Sequence, residues 1–564
     1  NPWLMHTDDA REYMVLVKRY NPKNTSDKET ALLICNTKGE ILLDYGKDEE
    51  KGELNMVYLM DKGANPSIMG VYQKNGALTM HYTPLPLNSS SLKGSGTVQD
   101  PYQIACAHDF CLIDNNPSAY YEVVNDIDFL GEPFNGPKKA FLGSLDGNNH
   151  TLSNLCLVDG GLFGTMQDSV KVHDLQFENP VLVLSSKNFN PAGILADYMQ
   201  GGVTDEGVDL YAELSNVHVL NPIIKAVGYE QIVGTLVGEA ALNLDVNTCS
   251  VVDAYISAPS AQVGGVIGKS QTYTNIHACM FSGVAEGKVV GGITSEISGG
   301  EPVYNCHVNA DLYSSYCIGG VVGYSGRSKI YNNVVEGTLN LANTAQIGKV
   351  GGIVGEVETD ATGSSSAILV ENCLIGISAI NVPEGKDVIA HRVVGFSSGD
   401  NYEYDWDNVD WSKPQSEWPR LYFKPEKGFK NNYVYSDLAG IDAAIQLTDS
   451  TTEGANLSAI DFLPEWCVEH GFEFGADVTA PWVWSDGRLL LWFENSSSTD
   501  VENLPNSNNV IINGNYIYAN GLVEVYNMQG MLVAKNNDVI NTNSLQSGVY
   551  VIKTTNSTIK LLVP

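Results

Sequence analysis

Segment 399–425 contains the residue types best suited to contact a ligand. Its candidate ligand-binding residues are aromatic: Tyr402, Tyr404, Trp406, Trp411 and Trp418. Acidic residues are interleaved with them: Asp400, Glu403, Asp405, Asp407 and Asp410. Aromatic rings offer flat apolar faces and neighbouring carboxylates accept hydrogen bonds, a combination that suits sugar rings and protein interfaces. The segment is therefore the candidate binding site.

Two other interpretations of this segment remain open. Asp405, Asp407 and Asp410 could coordinate calcium, although their spacing lacks the Gly and the distal Glu of an EF-hand loop. The aromatic side chains could instead cap the open end of a stacked β structure and cover its strand edges. We expect Trp411 and Trp418 to be buried, and Trp406 to be exposed among its carboxylates.

The rest of the sequence offers little for catalysis. The ten histidines include no His-Glu-x-x-His zinc motif. A β-helical polysaccharide lyase needs a Lys or Arg base beside calcium-binding carboxylates, and a hydrolase needs two facing carboxylates. The five basic residues between 255 and 355 are scattered, and we expect no carboxylate pair at facing positions on adjacent repeats. We therefore expect no catalytic residue and, calcium apart, no cofactor.

Composition excludes several classes of partner. The 564 residues contain 32 Lys+Arg and 66 Asp+Glu, a formal net charge of −34. This charge disfavours nucleic acids and anionic membrane surfaces, which bind clustered basic residues. No apolar run approaches the ~20 residues of a membrane helix. The chain begins at Asn1 without export-signal features, so we expect that any signal peptide has been removed.

A repeat organises the middle of the chain. The pattern Gly-Gly-apolar-x-Gly occurs at 160–164, 264–268, 319–323 and 351–355, with degenerate copies at 192–194, 233–238 and 291–293. The second Gly or its equivalent falls at 161, 193, 234, 265, 292, 320 and 352. Short strand-like runs lie between these anchors, which predicts stacked β coils of about 28 residues, a parallel β-helix. We expect Gly161, Gly265, Gly292, Gly320 and Gly352 to stack at one corner, with φ > 0 at the paired glycines.

A second marker follows the glycine anchors. Cys249, Cys279, Cys306 and Cys373 lie in strand-like runs, and we expect them inside the solenoid as buried, unpaired thiols. His277 lies two residues before its cysteine, which predicts an inward position. His307 lies one residue after its cysteine, which predicts an exposed one. A zinc site shared by these two histidines is therefore not expected.

These anchors resemble the GLUG repeat of bacterial surface adhesins, which also occurs beside IgA-specific metallopeptidases. The lead-in Gly-Ser-Gly-Thr-Val-Gln-Asp-Pro-Tyr at 94–102 and the terminator Thr-Glu-Gly-Ala at 452–455 followed by Pro-Trp-Val-Trp at 481–484 also resemble that family. The resemblance covers about 94–495 and implies a right-handed parallel β-helix on a secreted or surface protein. It carries over no catalytic residue, and segment 399–425 is an insertion relative to the family pattern.

The two ends of the chain differ from the repeat. Residues 523–530 and 545–553 resemble the C-terminal sorting domain of type IX secretion cargo in Bacteroidetes, which implies a small β domain over 510–564 behind a linker at 496–509. Residues 1–92 predict a small β domain with hairpins across 36–39 and across Asn75-Gly76. The expected fold is therefore all-β, with a solenoid over 93–495 between two small β domains.

Together these features predict an exported, extracellular or surface-associated binding protein, an adhesin or a glycan-contacting module. Its expected partner is a host or microbial surface glycan or protein, with no nucleic acid and no membrane insertion. A polysaccharide-active β-helix lyase or hydrolase is the first alternative. A structural spacer that holds another domain away from the cell is the second.

Overall fold

The computed structural model describes an all-β protein, with 56% of residues in strands and 5% in helices. The described residues are the strands of 3–84 given below, 92–496 and 511–563. The gaps within the latter two ranges are 186–190, 205, 229–230, 300, 327, 343–344, 346, 359–369, 384–386, 399–401, 405–407, 415–417, 423–428, 436–437, 439–451, 459, 486, 514–515, 528–531, 542–547 and 554–557. The predicted linker at 496–509 therefore lies almost entirely outside the described residues.

The N-terminal strands form two antiparallel sheets. The first contains Trp3–His6, Glu12–Lys18, Ala31–Asn36 and Ile41–Tyr45, and the second contains Glu53–Met60, Ser67–Lys74 and Ala77–Pro84. The hairpin across 36–39 is present. The hairpin across Asn75-Gly76 is also present, because Lys74 pairs with Ala77. Both predicted strand pairings are thus confirmed, while the turn residues 37–40 and 75–76 lie outside the described residues.

Parallel strands build the central body, as the repeat spacing predicts. A sheet of 28 described strands winds through Tyr102–Ile104, Tyr120–Val123, Ile127–Asp128, Ser144–Asp146, Thr151–Ser153, Cys156–Val158, Lys171–Glu178, Val181–Leu184, Pro191–Ala192, Ala212–Leu220, Ile223–Ala226, Ile232–Gly234, Leu244–Asn247, Ser250–Ser257, Gln262–Gly264, Thr274–His277, Met280–Gly291, Val303–Tyr304, His307–Gly319, Ile330–Tyr331, Val334–Leu341, Ile347–Gly351, Val370–Glu371, Leu374–Asn381, Asp387–His391, Phe429–Lys430, Tyr433–Val434 and Ala455–Asn456. Strands of successive coils pair in parallel, for example Met280–Gly291 with His307–Gly319. The body is therefore a parallel β-solenoid.

A second parallel sheet closes each coil. Its strands are Phe163–Met166, Ala196–Gln200, Val237–Ala241, Ile267–Ser270, Thr294–Ile297, Val322–Ser325, Val354–Glu358 and Val394–Ser398. One continuous apolar core runs between the sheets, from Ile104 to Val434. A short helix, Ala107–Leu112, and a 3₁₀ turn, Ile113–Asn115, lie near its first coil.

The paired glycines form one corner of several successive coils. Gly264, Gly291, Gly319 and Gly351 are successive register partners, and the second glycine of each pair follows. The strands of the second sheet begin two residues after this corner, and their pairing also aligns Gly161 with Gly265, Gly292, Gly320 and Gly352. This alignment confirms the predicted column. Gly193 and Gly234 lie one position earlier and occupy the first-glycine column.

The predicted φ > 0 at this corner is wrong, because none of the five second glycines has a positive φ. Close backbone approach excludes a side chain instead. A Cβ on Gly292 would lie 2.2 Å from the carbonyl oxygen of Gly320, and a Cβ on Gly320 would lie 2.0 Å from that of Gly352. Both distances are far below van der Waals contact, so a side chain at Gly292 or Gly320 would force the backbones of the two coils apart.

The left-handed conformation occurs at a second corner, immediately before the cysteine markers. Its residues have φ between 47° and 55°: Asp174, Asn216, Thr248, Ala278, Asn305, Asn332, Asn372 and Asn431. Asparagine tolerates this region better than most residues, which explains its repetition here. One left-handed residue also breaks the period-2 alternation of side chains, so residues on its two sides do not share a face.

The markers that follow this corner point into the core. Cys249, Cys279, Cys306 and Cys373 are fully buried and form no disulfide, which confirms the predicted thiols. Burial raises the pKa of the Cys249 and Cys306 thiols, and that of Cys373 to about 12. Asn333 takes the same position in its coil, where its amide accepts from the Cys306 N–H (2.9 Å) and donates to the Val303 carbonyl (3.1 Å).

The stack ends earlier than the predicted boundary at 495. Its last strand is Ala455–Asn456, which pairs with Tyr433–Val434. The chain then forms the helix Pro464–Glu469 and the antiparallel strands Trp482–Ser485 and Arg488–Leu491. This segment packs on the outside of the solenoid, where Trp482 is fully buried and its Nε1 donates to Asn305 Oδ1 (3.2 Å). Trp484 and Trp492 of the same segment are half-buried.

The remaining residues form a separate compact unit over Phe493–Pro564. The helix Trp492–Ser496 leads into it. Its sheet contains Ile511–Asn513, Tyr516–Asn527, Leu532–Asn541, Gly548–Lys553 and Thr558–Val563. All of its described pairings are antiparallel, which is typical of a small β domain.

Candidate binding surface

The insertion forms a hairpin-like projection between two parts of the last coils. It follows strand Val394–Ser398 and precedes strand Phe429–Lys430. Its strands Tyr402–Tyr404 and Arg420–Tyr422 are antiparallel, with Tyr402 opposite Tyr422. Pairing at the base therefore brings the two ends of the intervening loop together.

Two tryptophans of this loop form an edge-to-face pair. Their ring centroids are 5.0 Å apart, with an angle of 69° between the planes. Trp418 is half-buried, and its Nε1 donates to the Lys413 carbonyl (3.1 Å). Trp411 is 71% exposed. Trp418 thus supports one side of Trp411 while most of the Trp411 ring faces solvent.

Asp410 fixes the turn that carries Trp411. Its carboxylate accepts from the Ser412 hydroxyl (2.7 Å) and from the Ser412 N–H (3.1 Å). These hydrogen bonds lower the pKa of Asp410, so the carboxylate is ionised at neutral pH. The Lys413 N–H also donates to the Asp410 carbonyl (3.0 Å), which closes the turn.

The prediction that Trp411 is buried is wrong, and with it the cap interpretation fails for this residue. Trp411 lies in the Asp410–Ser412 turn with its ring exposed, which no periodicity in the sequence indicates. Trp406, Asp405 and Asp407 lie outside the described residues, as do the side chains of Tyr402 and Tyr404. Calcium coordination by the three aspartates therefore stays a prediction.

A second group of polar side chains lines the outer face of the large sheet. One register column contains Glu122, Asp146, His173, Ser215, Asn247, His277, Tyr304 and Tyr331. The rings of His277 and Tyr304 stack at 4.7 Å, and those of Tyr304 and Tyr331 at 4.9 Å. Stacked rings present their edges to solvent, so this column is less suited than Trp411 to stack on a sugar.

Both histidine predictions are wrong. His277 lies on the outer face, 3.1 Å from Asp245, because the left-handed residue Ala278 separates it from the inward Cys279. His307 also lies on the outer face but is only 1% exposed, because the segment after the solenoid covers it.

Glu336 links His307 to that covering segment. It lies 3.4 Å from His307 Nε2 and pairs with Arg488. Although burial opposes ionisation, His307 and Arg488 bring the pKa of Glu336 down to about 2. The Tyr435 hydroxyl also donates to Glu336 (3.0 Å). His307 is therefore part of a packed ionic cluster.

Facing carboxylates do occur on adjacent coils, which corrects the sequence-based expectation. Glu213 is the register partner of Asp245, and Glu122 is that of Asp146. Lys171 Nζ lies 3.1 Å from Glu213. The expectation failed because these pairs are 32 residues (245 − 213) and 24 residues (146 − 122) apart, so the facing positions do not follow the 28-residue spacing.

Comparison with known proteins gives no family assignment. No known family profile matches the chain. Halomucin from Haloquadratum walsbyi is 33% identical over 109 residues, which cover 15% of this chain and 1% of halomucin. The chain therefore spans only a small part of that relative.

Two solved structures also resemble the chain. A candidate immunoglobulin A1 protease from Bacteroides ovatus is 16% identical, with a TM-score of 0.30, and the match covers 72% of this chain and 96% of that one. A structure described as an IgA1 protease is 15% identical, with a TM-score of 0.35, and the match covers 78% of this chain and 30% of that one. Among the described residues, no helix is long and apolar enough to cross a membrane.

Proposed function

We propose that this protein is an exported, surface-associated binding protein that contacts a glycan or a protein on a host or microbial surface through its aromatic hairpin. The observation that carries the proposal is the position of Trp411, 71% exposed and supported by Trp418. An exposed, pre-positioned tryptophan is a typical interface anchor, because little side-chain entropy is lost when it binds. The acidic residues around it provide hydrogen-bond acceptors.

The repeat and the tail supply the rest of the proposal. The GLUG-like anchors support a right-handed solenoid as a rigid stalk, and the sorting-like residues after 510 support export to the cell surface. The net charge of −34 supports a partner other than nucleic acid. In this arrangement the solenoid holds the aromatic hairpin and contributes no chemistry.

The test begins with a glycan array probed with the full chain, followed by calorimetry on the glycans retained. We expect Trp411→Ala to weaken binding by ~2 kcal/mol, about 30-fold in Kd, because the ring is the principal contact. Its melting temperature should change little, since the side chain is mostly exposed. Tyr313→Ala is the matched control, because Tyr313 is an exposed aromatic residue (42%) on the solenoid wall. Unchanged affinity in Trp411→Ala would reject the hairpin as the site, and the absence of any ligand would favour the spacer.

A polysaccharide-active enzyme is the second candidate, favoured by Lys171 beside the facing carboxylates Glu213 and Asp245. A basic residue among carboxylates is the constellation that a lyase requires. The same glycans should therefore be checked for release of shorter products. If Lys171→Ala abolishes product release and Trp411→Ala does not, the function is catalysis and not binding.

A further inference from the structure

Three side chains from the first coils converge on the outer face of the large sheet. They are Asp146, His173 and Asp174, each half-buried. His173 Nδ1 lies 2.9 Å from Asp174 Oδ2 and 3.6 Å from Asp146 Oδ1. One candidate ligand atom from each residue lies within 4.8 Å of the other two. One imidazole nitrogen and two carboxylate oxygens thus face a common point.

The backbone fixes this convergence. Asp146 and His173 are register partners on adjacent parallel strands, so their side chains project side by side. Asp174 has φ 55° at the left-handed corner, where the corresponding residues of later coils include Asn305, Asn332 and Asn372. At this corner an acidic residue therefore replaces the amide and faces the histidine beside it.

Neighbouring groups hold the carboxylates in place. The Asn148 N–H donates to Asp146 Oδ1 (2.7 Å). Asn216 Nδ2 donates to Asp174 Oδ1, which leaves Oδ2 directed at His173. Asn216 is itself held by His218, whose Nε2 lies 2.8 Å from Asn216 Oδ1. Such outer hydrogen bonds to a ligating carboxylate are typical of metal sites, because they orient the ligand.

We propose that Asp146, His173 and Asp174 bind a divalent first-row metal ion, with Zn²⁺ as the best match. Zn²⁺ accepts one imidazole nitrogen and two carboxylate oxygens, and water completes its coordination at a half-buried position. The metal replaces the proton of His173 Nδ1, the atom that faces both acids. This site is independent of the aromatic hairpin.

Two other histidines of the same sheet provide an internal comparison. His150 Nδ1 lies 3.0 Å from Asp126, and His277 Nε2 lies 3.1 Å from Asp245. Neither forms a three-ligand cluster within the described residues. Paired histidines are thus common on this wall, and convergence of two carboxylates distinguishes His173.

Calorimetric titration of the full chain with ZnCl₂ at pH 7.5 tests the site. We expect His173→Ala to lose one bound Zn²⁺ relative to the unmodified protein, and Asn216→Ala to weaken that event by about 10–100-fold. His150→Ala, the matched control, should bind as the unmodified protein does. Comparison with His173→Ala also removes any contribution from cysteine thiols, which all variants share.

A second measurement separates metal binding from misfolding. Zn²⁺ should raise the melting temperature of the unmodified protein and of His150→Ala, but not that of His173→Ala, whose circular dichroism should otherwise match. Equal Zn²⁺ stoichiometry and equal melting shifts in the unmodified protein and His173→Ala would overturn the proposal.

Discussion

At the residue scale, Asp197 shows how the glycine corner creates an unusual carboxyl group. Its Oδ1 accepts from the Gly161 N–H (2.7 Å), and its carboxyl lies 3.1 Å from the position that a Cβ on Gly160 would occupy. Burial against the corner raises the pKa of Asp197 to about 7, despite the hydrogen bonds from Gly161 and Gly193. The carboxyl is therefore half-protonated near neutral pH.

This shift predicts a pH-dependent stability. Because the folded-state pKa lies above the ordinary value of 3.8, the native state favours the protonated form. The contribution of Asp197 to stability is complete below about pH 4, declines as the pH rises toward 7, and is constant above that. Relative to the unmodified protein, Asp197→Asn should therefore gain stability between pH 4 and pH 8. Urea unfolding at four pH values measures the difference, and parallel curves for the two proteins would contradict it.

At the element scale, the glycine corner sets how closely coils can stack. Gly320→Ala places a Cβ 2.0 Å from the Gly352 carbonyl oxygen, so the backbone of two coils must separate. We expect the loss in unfolding free energy to exceed ~3 kcal/mol, the upper range for overpacking, because backbone rather than a flexible side chain must move. Denaturant unfolding of the purified variant measures this loss.

Gly164→Ala is the control for this substitution. Gly164 belongs to the same repeat pattern, but no atom lies within 4 Å of the position of its Cβ, and its φ is not positive. Alanine there should be neutral or slightly stabilising, because it reduces the entropy of the unfolded chain. Equal losses in the two variants would show that the glycines serve chain flexibility and not close approach.

The sequence predicts the coil spacing, the glycine column and the buried cysteines because each repeats at a fixed interval. It does not predict the face of His277, since the left-handed residue Ala278 shifts the alternation before Cys279, and it does not predict the burial of His307. Nor does it predict the carboxylates opposite each other at Glu213 and Asp245, which depend on coil length. Trp411 follows no period at all, so its exposure depends on a local turn.

At the scale of the whole molecule, the solenoid must end without exposing its last coil. His391 and Arg392 replace the paired glycines of the final corner, where the Arg392 carbonyl lies 2.0 Å from the position of a Cβ on Gly352. Thr452 then lies beside Val393 in the next position of the stack, because the Val393 N–H donates to the Thr452 carbonyl (2.8 Å). The last described strand of the solenoid is Ala455–Asn456, which follows this position.

Glu453 stabilises the C-terminal end of the solenoid, and its replacement should destabilise the final coils. It is 1% exposed, contacts His391 Nδ1 and accepts from the Arg392 N–H (3.2 Å), while the Arg392 guanidinium donates to Asn456 Oδ1 (2.8 Å). Glu453→Ala removes the partner of His391 and leaves the buried Arg392 N–H without its acceptor, and an unsatisfied buried donor typically costs ~1–3 kcal/mol. The loss should appear first as faster hydrogen exchange over 370–434, because these strands are nearest the altered end.

Lys430→Ala is the control for Glu453→Ala. Lys430 pairs with Glu371 at 2.6 Å on the same coils, but its side chain is 53% exposed. Such surface pairs contribute about 0–1 kcal/mol, so exchange over 370–434 should barely change. If Glu453→Ala and Lys430→Ala behave alike, the end of the solenoid is held by the covering segment around Trp482 and not by Glu453. A selective effect of Glu453→Ala would instead show that the contacts of Glu453 with His391 and Arg392 stabilise the last coils.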